Sequence, residues 1–272
     1  MMIQLRSTLK TPYRFKRYIL IRGTTKHIIR FIQKLYTTLQ QHSHPNQAKY
    51  MQGTLIQKKK TKVLFYPGCY THSPITLQHS LDLLNSHHID YSVLGGMSTC
   101  CGLPHLLQGH YKKAEENLKT LHNAITKSGC TTIISGCLEC VEAIQLAAHL
   151  YKGAYTAQSI HDYLNTTLTI KSTEKKLGNT LLLKGCRTTN TSQLETQLKC
   201  LSTQLTTKKG CCAHWNLKYQ HTNQKLIKEL QEHIKTHNIQ TVVCECLTCY
   251  EELKGTLKTP TKELIQLLEE NQ

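Results

Sequence analysis

Cysteine residues recur along this 272-residue chain in a pattern that occurs twice. Each copy has a single cysteine, then two adjacent cysteines, then a Cys-x-x-Cys motif. The first copy consists of Cys69, Cys100, Cys101, Cys137 and Cys140, and the second consists of Cys186, Cys211, Cys212, Cys246 and Cys249. These ten residues are most of the 13 cysteines in the chain. Because thiolates are soft ligands, the pattern predicts two sites that bind metal through sulfur.

The number of cysteines in each copy limits the kind of site. Tetrahedral zinc is satisfied by four ligands, so a fifth thiolate is surplus to it. Adjacent cysteines are poor disulfide partners, since their Cα atoms lie about 3.8 Å apart and an unstrained disulfide needs roughly 4.4–6.8 Å. The side chains of adjacent cysteines point in different directions, so they can bind two different atoms of an extended cluster. The pattern favours iron and sulfide, with zinc and metal-free disulfide or thiol chemistry as alternatives.

Three sequence blocks surround the cysteines of the first copy: Phe65-Tyr66-Pro67-Gly68-Cys69, Thr99-Cys100-Cys101-Gly102 and Ser135-Gly136-Cys137-Leu138-Glu139-Cys140. These blocks resemble the CCG cysteine-rich domain of the catalytic subunit of heterodisulfide reductase. The iron–sulfur subunits of glycolate oxidase, lactate utilisation and thiol-dependent fumarate reductase are related to it. The two copies of the resemblance cover roughly residues 62–270. The second copy departs from the pattern, because its Cys pair is followed by Ala213-His214-Trp215 and the interval from Cys186 to Cys211 is short.

The resemblance implies redox chemistry at cysteine-ligated iron–sulfur clusters, one or two in number. In the best-known members each five-cysteine set binds a non-cubane 4Fe-4S cluster, and a disulfide is reduced between the two clusters. It therefore implies that the ten patterned cysteines are the ligands here. Because the chain has no ferredoxin-type cysteine run, electrons would come from a separate ferredoxin-like or flavin-bearing subunit. The resemblance also implies an anaerobic setting.

Three functions are consistent with these residues. The first is an oxidoreductase subunit that delivers electrons to a disulfide or a similar acceptor. The second is a non-catalytic electron-transfer subunit of a flavin-dependent glycolate- or lactate-type dehydrogenase. The third is a zinc-binding interaction scaffold, which metal analysis would distinguish from the other two.

The remaining cysteines and the histidines carry weaker signals. Cys130, Cys200 and Cys244 lie outside the pattern and are expected to be ordinary, partly buried cysteines. Cys244 replaces Ser135 of the first copy and could substitute for a neighbouring ligand. The histidines share no spacing and are expected to be solvated. His105 and His214 each follow a Cys pair and are candidate proton sources.

The length of the chain and the repeat together predict two units of about 110 residues. The predicted domains are a basic helical arm and linker at residues 1–61, a first CCG domain at 62–170 and a second at 171–272. An odd number of cysteines and no recognisable secretory signal favour a reducing cytoplasm. No apolar run approaches the roughly 18 residues of a membrane span.

The formal net charge of +17 is concentrated in the arm. The arm has no acidic residue, since the first one in the chain is Asp82. Such a charge attracts a small anionic substrate, an acidic partner surface or lipid headgroups, so peripheral membrane contact stays open. Within the arm, Ile28, Ile32, Leu35 and Leu39 recur at helical spacing. A docking helix for a partner subunit is favoured over a transit peptide. Nucleic-acid binding is not expected, because aromatic platforms are not interleaved with the basic residues.

The elements that position the cysteines alternate between strand and helix. Apolar runs predict strands at residues 63–66, 91–94, 132–134, 181–183 and 242–243, and an apolar stripe from Leu107 to Ile125 predicts a long helix. The same period predicts helices at residues 77–84 and around Leu226, Leu230 and Ile234. The fold class is therefore α/β, with two tandem Rossmann-like domains and mostly parallel sheets.

In such a fold the cysteine loops follow strands and open helices. Positive helix ends are then expected to favour the charged thiolates. Gly68, Gly102 and Gly136 beside the ligands would let the backbone approach the cluster sulfurs.

Overall fold

The computed structural model of the protein describes residues 61–68, 74–95, 99–107, 109–164, 177–185, 192–209 and 220–271. The predicted arm at residues 1–61 lies outside these ranges, except for Thr61. Four predicted ligands and one candidate proton source also lie outside them: Cys69, Cys186, Cys211, Cys212 and His214.

Residues 61–164, here called the first unit, alternate between strands and helices. The elements are β1 (Val63–Phe65), α1 (Pro74–Ser86), β2 (Tyr91–Val93), α2 (Leu103–Leu107), α3 (Tyr111–Ser128), β3 (Thr132–Ser135), α4 (Leu138–Tyr151), β4 (Thr156–Ser159) and α5 (Ile160–Leu164).

Residues 177–271, here called the second unit, repeat this alternation. The elements are β5 (Asn179–Lys184), α6 (Ser192–Leu201), β6 (Gln204–Lys209), α7 (Gln220–Thr236), β7 (Thr241–Cys244), α8 (Leu247–Leu253), β8 (Thr261–Glu263) and α9 (Leu264–Glu270).

Each unit forms one four-stranded parallel sheet. The strand orders are β2-β1-β3-β4 and β6-β5-β7-β8, so the two sheets have the same topology. Every strand pairing within the described ranges is parallel. The carboxyl ends of all four strands in a sheet therefore lie at one edge, where ligand sites of α/β folds are found. The predicted α/β class is confirmed.

Helix α3 shows how an apolar period becomes a packed element. Its buried face carries residues at steps of four, three and four: Ala114, Leu118, Leu121 and Ile125. The helix ends at Gly129, whose φ of 71° allows its N–H to bond the carbonyl of Thr126. The prediction that Leu107 belongs to this helix is wrong. Leu107 ends the separate short helix α2, and Gly109 with a φ of 79° turns the chain before α3 begins.

One hydrophobic cluster, here called the shared core, contains residues from both units. From the first unit it includes Phe65, Leu77, Leu84 and Ile134, and from the second unit Leu182, Val243, Leu264 and Leu268. Helix α9 packs against α1, so the last helix of the chain covers the first helix of the other unit. The two sheets are therefore joined by buried apolar surface, and the predicted boundary between residues 170 and 171 stays a prediction.

No helix within the described ranges has the length and apolar character that crossing a bilayer requires.

Candidate functional site

The two Cys-x-x-Cys motifs occupy equivalent positions at the ends of central strands. Strand β3 ends at Ser135, and Cys137 is the N-cap residue of α4 with φ −104° and ψ 116°. Strand β7 ends at Cys244, and Cys246 is the N-cap residue of α8 with φ −94° and ψ 123°. The second cysteine of each motif lies in the first turn of its helix. The expectation that these cysteines lie between a strand end and a helix start is therefore confirmed.

The structure brings four of the five predicted ligands of the first set together. The Cys101 thiol hydrogen bonds with the side chains of Cys100 and Cys140, and Cys140 also bonds with Cys137. Cys101 and Cys140 are each 1% exposed and Cys137 is 4% exposed. Residues that are distant in sequence therefore form one thiol cluster at the carboxyl edge of the first sheet, in which Cys100 alone is partly exposed.

One side-chain hydrogen bond and one glycine hold the loops around this cluster. The Tyr66 hydroxyl donates to the carbonyl of Thr99 at 2.5 Å, which ties the end of β1 to the loop before the Cys pair. Gly68 has a φ of 74°, and a Cβ built on it would lie 2.8 Å from Cys140 Sγ. Only glycine lets the chain pass this close to the sulfur in that conformation.

Gly102 has a similar role beside the Cys pair. Its φ is 77°, and a Cβ there would lie 2.8 Å from the Cβ of Asn117 in α3. The missing side chain lets the backbone after Cys101 pack directly on α3.

The thiols by themselves hold their protons more tightly than an isolated cysteine. The pKa of Cys101 is raised well above its usual value, first by a hydrogen bond with Cys100 and then by burial. Hydrogen bonds with Cys101 and Cys137, followed by burial, raise the pKa of Cys140 in the same way.

The pKa of Cys137 is also raised. The largest influence on this thiol is a hydrogen bond with Cys140, which lowers its pKa. Burial and the neighbouring charges of Glu139 and Cys246 outweigh that bond. The backbone N–H of Cys140, in the first turn of α4, lowers the pKa of Cys137 as expected for a helix start, but burial and the nearby charges outweigh it. A coordinating metal cation reverses this balance, since it deprotonates its thiol ligands outright.

The second set is described only at its Cys-x-x-Cys motif. Cys246 and Cys249 are 5% and 2% exposed and lie in one apolar cluster with the fully buried Cys244. Leu138, inside the first motif, belongs to the same buried cluster as Cys246 and Cys249, so the two motifs lie near each other across the interface between the units. The two candidate sites are therefore neighbours.

The donor chemistry fits an iron–sulfur cluster. Four thiols converge in the first unit, and thiolates are the ligands that such clusters use. Among the residues that the structure describes, no group of three or more His, Cys, Asp or Glu side chains is arranged to hold a single metal ion. The assignment of all ten patterned cysteines as ligands stays a prediction.

Cysteines outside the pattern behave differently from one another. Cys130 is buried and its thiol donates to the carbonyl of Thr61 at 3.4 Å, which fits an ordinary structural cysteine. Cys200 is exposed on α6, and Cys244 is buried beside the second motif.

Two histidines that were expected to be solvated have side-chain partners instead. His79 Nδ1 lies 3.1 Å from Glu269 Oε2 of α9, and His122 Nδ1 lies 2.9 Å from the Tyr155 hydroxyl. Both partners come from a neighbouring helix or loop, so no local period in the sequence indicates them. His105 lies in α2, the short helix that follows the Cys pair. Its role as a proton source stays a prediction.

Sequence reasoning missed three buried polar residues near the cysteine loops: His161, Glu245 and Glu263. Glu245 had a signal, because it replaces Gly136 of the first copy immediately before the Cys-x-x-Cys motif. His161 and Glu263 had none, since each lies in a short element that the apolar pattern does not reveal.

Comparison with solved structures found matches at low identity and low TM-score. An aspartate racemase homologue from Pyrococcus horikoshii OT3 is 9% identical, with a TM-score of 0.33, and the alignment covers 77% of this chain and 96% of that one. Glutamate racemase isoform RacE1 from Bacillus anthracis is 15% identical, with a TM-score of 0.35 and coverage of 77% and 79%. At these TM-scores the similarity says nothing about function.

Comparison with curated proteins found no match. Residues 63–145 match the family model of the cysteine-rich domain CCG. The matched range includes all five predicted ligands of the first set, from Cys69 to Cys140. The first unit is therefore similar to a CCG cysteine-rich domain over residues 63–145.

Proposed function

We propose that the protein is an iron–sulfur oxidoreductase subunit that resembles the catalytic subunit of heterodisulfide reductase. One observation carries the proposal, the convergence of four thiols from separate loops at the carboxyl edge of the first sheet. Cys69 would complete that set, and the second set would hold a further cluster. The CCG match over residues 63–145 supports the same chemistry.

The contacts of the Cys pair favour a cluster over a zinc staple. Cys101 bonds with Cys140, which in turn bonds with Cys137, so the thiols form a chain of contacts. Such a chain can distribute its sulfurs over several iron atoms, whereas a zinc ion requires four ligands around one point.

The proposed reaction is the reduction of a disulfide by two electrons and two protons, which breaks the S–S bond and yields two thiols. Thiolate-ligated clusters supply such electrons one at a time. The electrons would come from a ferredoxin-like or flavin-bearing partner subunit. The positive net charge favours an anionic substrate, and the thiol chemistry favours a reducing, cytoplasmic location.

A second candidate function is electron relay without a substrate site, in a flavin-dependent dehydrogenase. The CCG match favours it in one respect, because the match covers the first unit and does not extend to the second. One cluster suffices for relay, whereas the paired reaction needs two.

The first experiment is anaerobic purification, with iron, zinc and acid-labile sulfide counted per chain. Iron and sulfide in the wild-type protein, with little zinc, are expected. Cys101→Ser should lose most of the iron of the first site, because the serine hydroxyl is a poor replacement for a thiolate bonded to two neighbours. Cys200→Ser is the matched control, since this cysteine is exposed on α6 and should leave the iron content unchanged.

A colourless wild-type protein without sulfide would contradict the proposal, and iron unchanged in Cys101→Ser would contradict that ligand. Reduction of a disulfide by the purified protein with an artificial electron donor separates the two candidate functions. The oxidoreductase should turn over such a substrate, and the relay subunit should only become reduced.

A further inference from the structure

Glu245 is a buried acidic residue at the second Cys-x-x-Cys motif. It lies between Cys244 and Cys246, and its side chain is fully buried. A carboxylate in such a place loses its hydration, which costs several kcal/mol. The protein therefore has to compensate Glu245 with specific partners.

The carboxylate of Glu245 has two hydrogen-bond partners, and its backbone has a third. Gly185 N–H donates to Oε2 at 3.1 Å, and His161 Nε2 lies 3.2 Å from Oε1. The backbone N–H of Glu245 itself donates to the carbonyl of Leu183 in β5 at 3.1 Å. Hydrogen bonds to a carboxylate, such as the one from Gly185, belong to the stronger, charge-assisted class.

The position of these partners relates Glu245 to the predicted ligands. Gly185 directly precedes Cys186, and Glu245 directly precedes Cys246. One side chain thus joins the starting points of two loops that carry ligands of the second set. His161 belongs to α5 of the first unit, so the same carboxylate also fixes these loops to the other unit.

At the equivalent positions, with the two units exchanged, the interface has an apolar pair. Gly136 precedes the first motif as Glu245 precedes the second, and Ile265 follows β8 at the position that His161 has after β4. A Cβ on Gly136 would lie 3.0 Å from Ile265 Cδ1, so these two residues also meet across the interface. The fold therefore does not require a hydrogen-bonded polar pair at this position.

The cost of the pair is visible at the histidine. His161 is 2% exposed, and its Nδ1 is buried without a hydrogen-bond partner within the described ranges. An apolar pair of similar volume is often as stable as a buried ionic pair or more so. The stability of the interface therefore does not explain why Glu245 and His161 are present. Their contacts with the starting points of the cysteine loops do explain it.

We infer that Glu245, held by His161, is the positioning residue that fixes Gly185 and Cys246, where two cysteine loops begin, so that the second set of thiols can bind its cluster. This inference rests on the proposed function. Partners that orient metal ligands commonly change metal affinity by roughly 10- to 100-fold when they are removed.

The test measures iron at the second site alone, in the Cys101→Ser protein, where the first site is disabled. Iron retained against a competing chelator is measured anaerobically, together with the absorption and electron paramagnetic resonance spectra of the remaining cluster. Glu245→Ala should weaken iron retention roughly 10- to 100-fold and remove the spectrum. Glu245→Gln keeps an oxygen for the Gly185 N–H and should restore most of both, which a merely space-filling role does not predict.

His79→Gln is the matched control. It removes another His–Glu pair between the units, the contact of His79 in α1 with Glu269 in α9, neither of which contacts Gly185 or Glu245. It should leave iron retention unchanged. If Glu245→Ala does not fold, His161→Leu replaces it, because it leaves the Gly185 bond and should still lower iron retention.

Each remaining outcome overturns the inference. Unchanged retention in both Glu245→Ala and His161→Leu would do so, as would equal loss in Glu245→Gln and Glu245→Ala. Iron in the wild-type protein but none in Cys101→Ser would mean that no second cluster exists, which leaves a one-cluster function intact. A wild-type protein without iron and sulfide would instead remove the proposed function itself.

Discussion

At the scale of single residues, the thiol cluster depends on close approach between backbone and sulfur. Gly68 passes beside Cys140, whose thiol is already in contact with two other thiols. The cluster therefore has little room for an added atom. This crowding also explains why the thiols alone resist deprotonation.

Gly68→Ala should disturb the thiol cluster more than backbone strain at residue 68 alone would. The positive φ costs about 1–2 kcal/mol for a residue with a Cβ. The added Cβ would also press on Cys140 Sγ, at 2.8 Å, and displace it. We expect lower iron content together with the loss of stability, measured by metal analysis and urea denaturation.

Gly129→Ala is the matched control for this change. Gly129 has a nearly equal φ of 71°, and a Cβ there would have nothing within 4 Å. It should lose a similar free energy of unfolding through strain and retain its iron. Equal iron content in both variants would show that the approach of Gly68 to Cys140 is not needed.

At the scale of elements, a buried acid joins the end of β8 to α1. Glu263 is the N-cap residue of α9, and the Thr76 hydroxyl donates to its Oε2 at 2.9 Å. Its Oε1 has no hydrogen-bond partner within the described ranges. Burial raises the pKa of Glu263 to about 7, a rise that the Thr76 bond and the charge of Lys254 only partly oppose.

This shift predicts that the free energy of unfolding falls as the pH rises from about 4.5 to about 7. In that window the folded protein holds a proton on Glu263 that the unfolded chain has released, so the loss follows from linkage. The full loss above the folded pKa is about 3 kcal/mol. Denaturation curves at several pH values should show it.

Glu263→Gln isolates this contribution from those of other titrating groups, including the nearby Glu251 and Lys254. The amide is neutral throughout, so the variant should lose less stability than the wild type between pH 4.5 and 7. Identical pH profiles would contradict a proton on Glu263.

At the scale of the whole molecule, the shared core joins the two units through buried apolar surface. Leu268 of α9 is fully buried in a cluster with Leu77 and Leu84 of α1. The C-terminal helix thus completes the packing of the first unit, although it follows the second sheet in sequence.

Leu268→Ala should destabilise both units together. Removal of a buried leucine side chain costs about 2–5 kcal/mol through lost burial and the remaining cavity. Hydrogen exchange in β3 and β7 should then accelerate to the same extent, because both strands contribute to the shared core. Gln266→Ala on the same helix should change stability by less than about 0.5 kcal/mol. Loss of protection in β7 alone would contradict a shared core.

The sequence alone predicted the central strands better than the edges. Strands β1, β3, β5 and β7 lie inside their sheets, are covered on both faces and have apolar sequences. Three edge strands were not predicted: β4, β6 and β8. Strand β6, with the sequence QLTTKK, shows the reason, because an edge strand needs no continuous apolar run. The repeat of the cysteines likewise predicted where the loops of the first site would lie.

The spacing of cysteines along the chain predicted thiolate ligands, and the apolar periodicity predicted the α/β units that carry them. Only the tertiary structure decided that the two Cys-x-x-Cys motifs meet in one buried cluster and that Glu245 meets His161, 84 residues away in sequence. The physical reason is that periodicity records which side of an element is buried, but not which other element covers it. That choice depends on how the two sheets and their helices pack around the shared core.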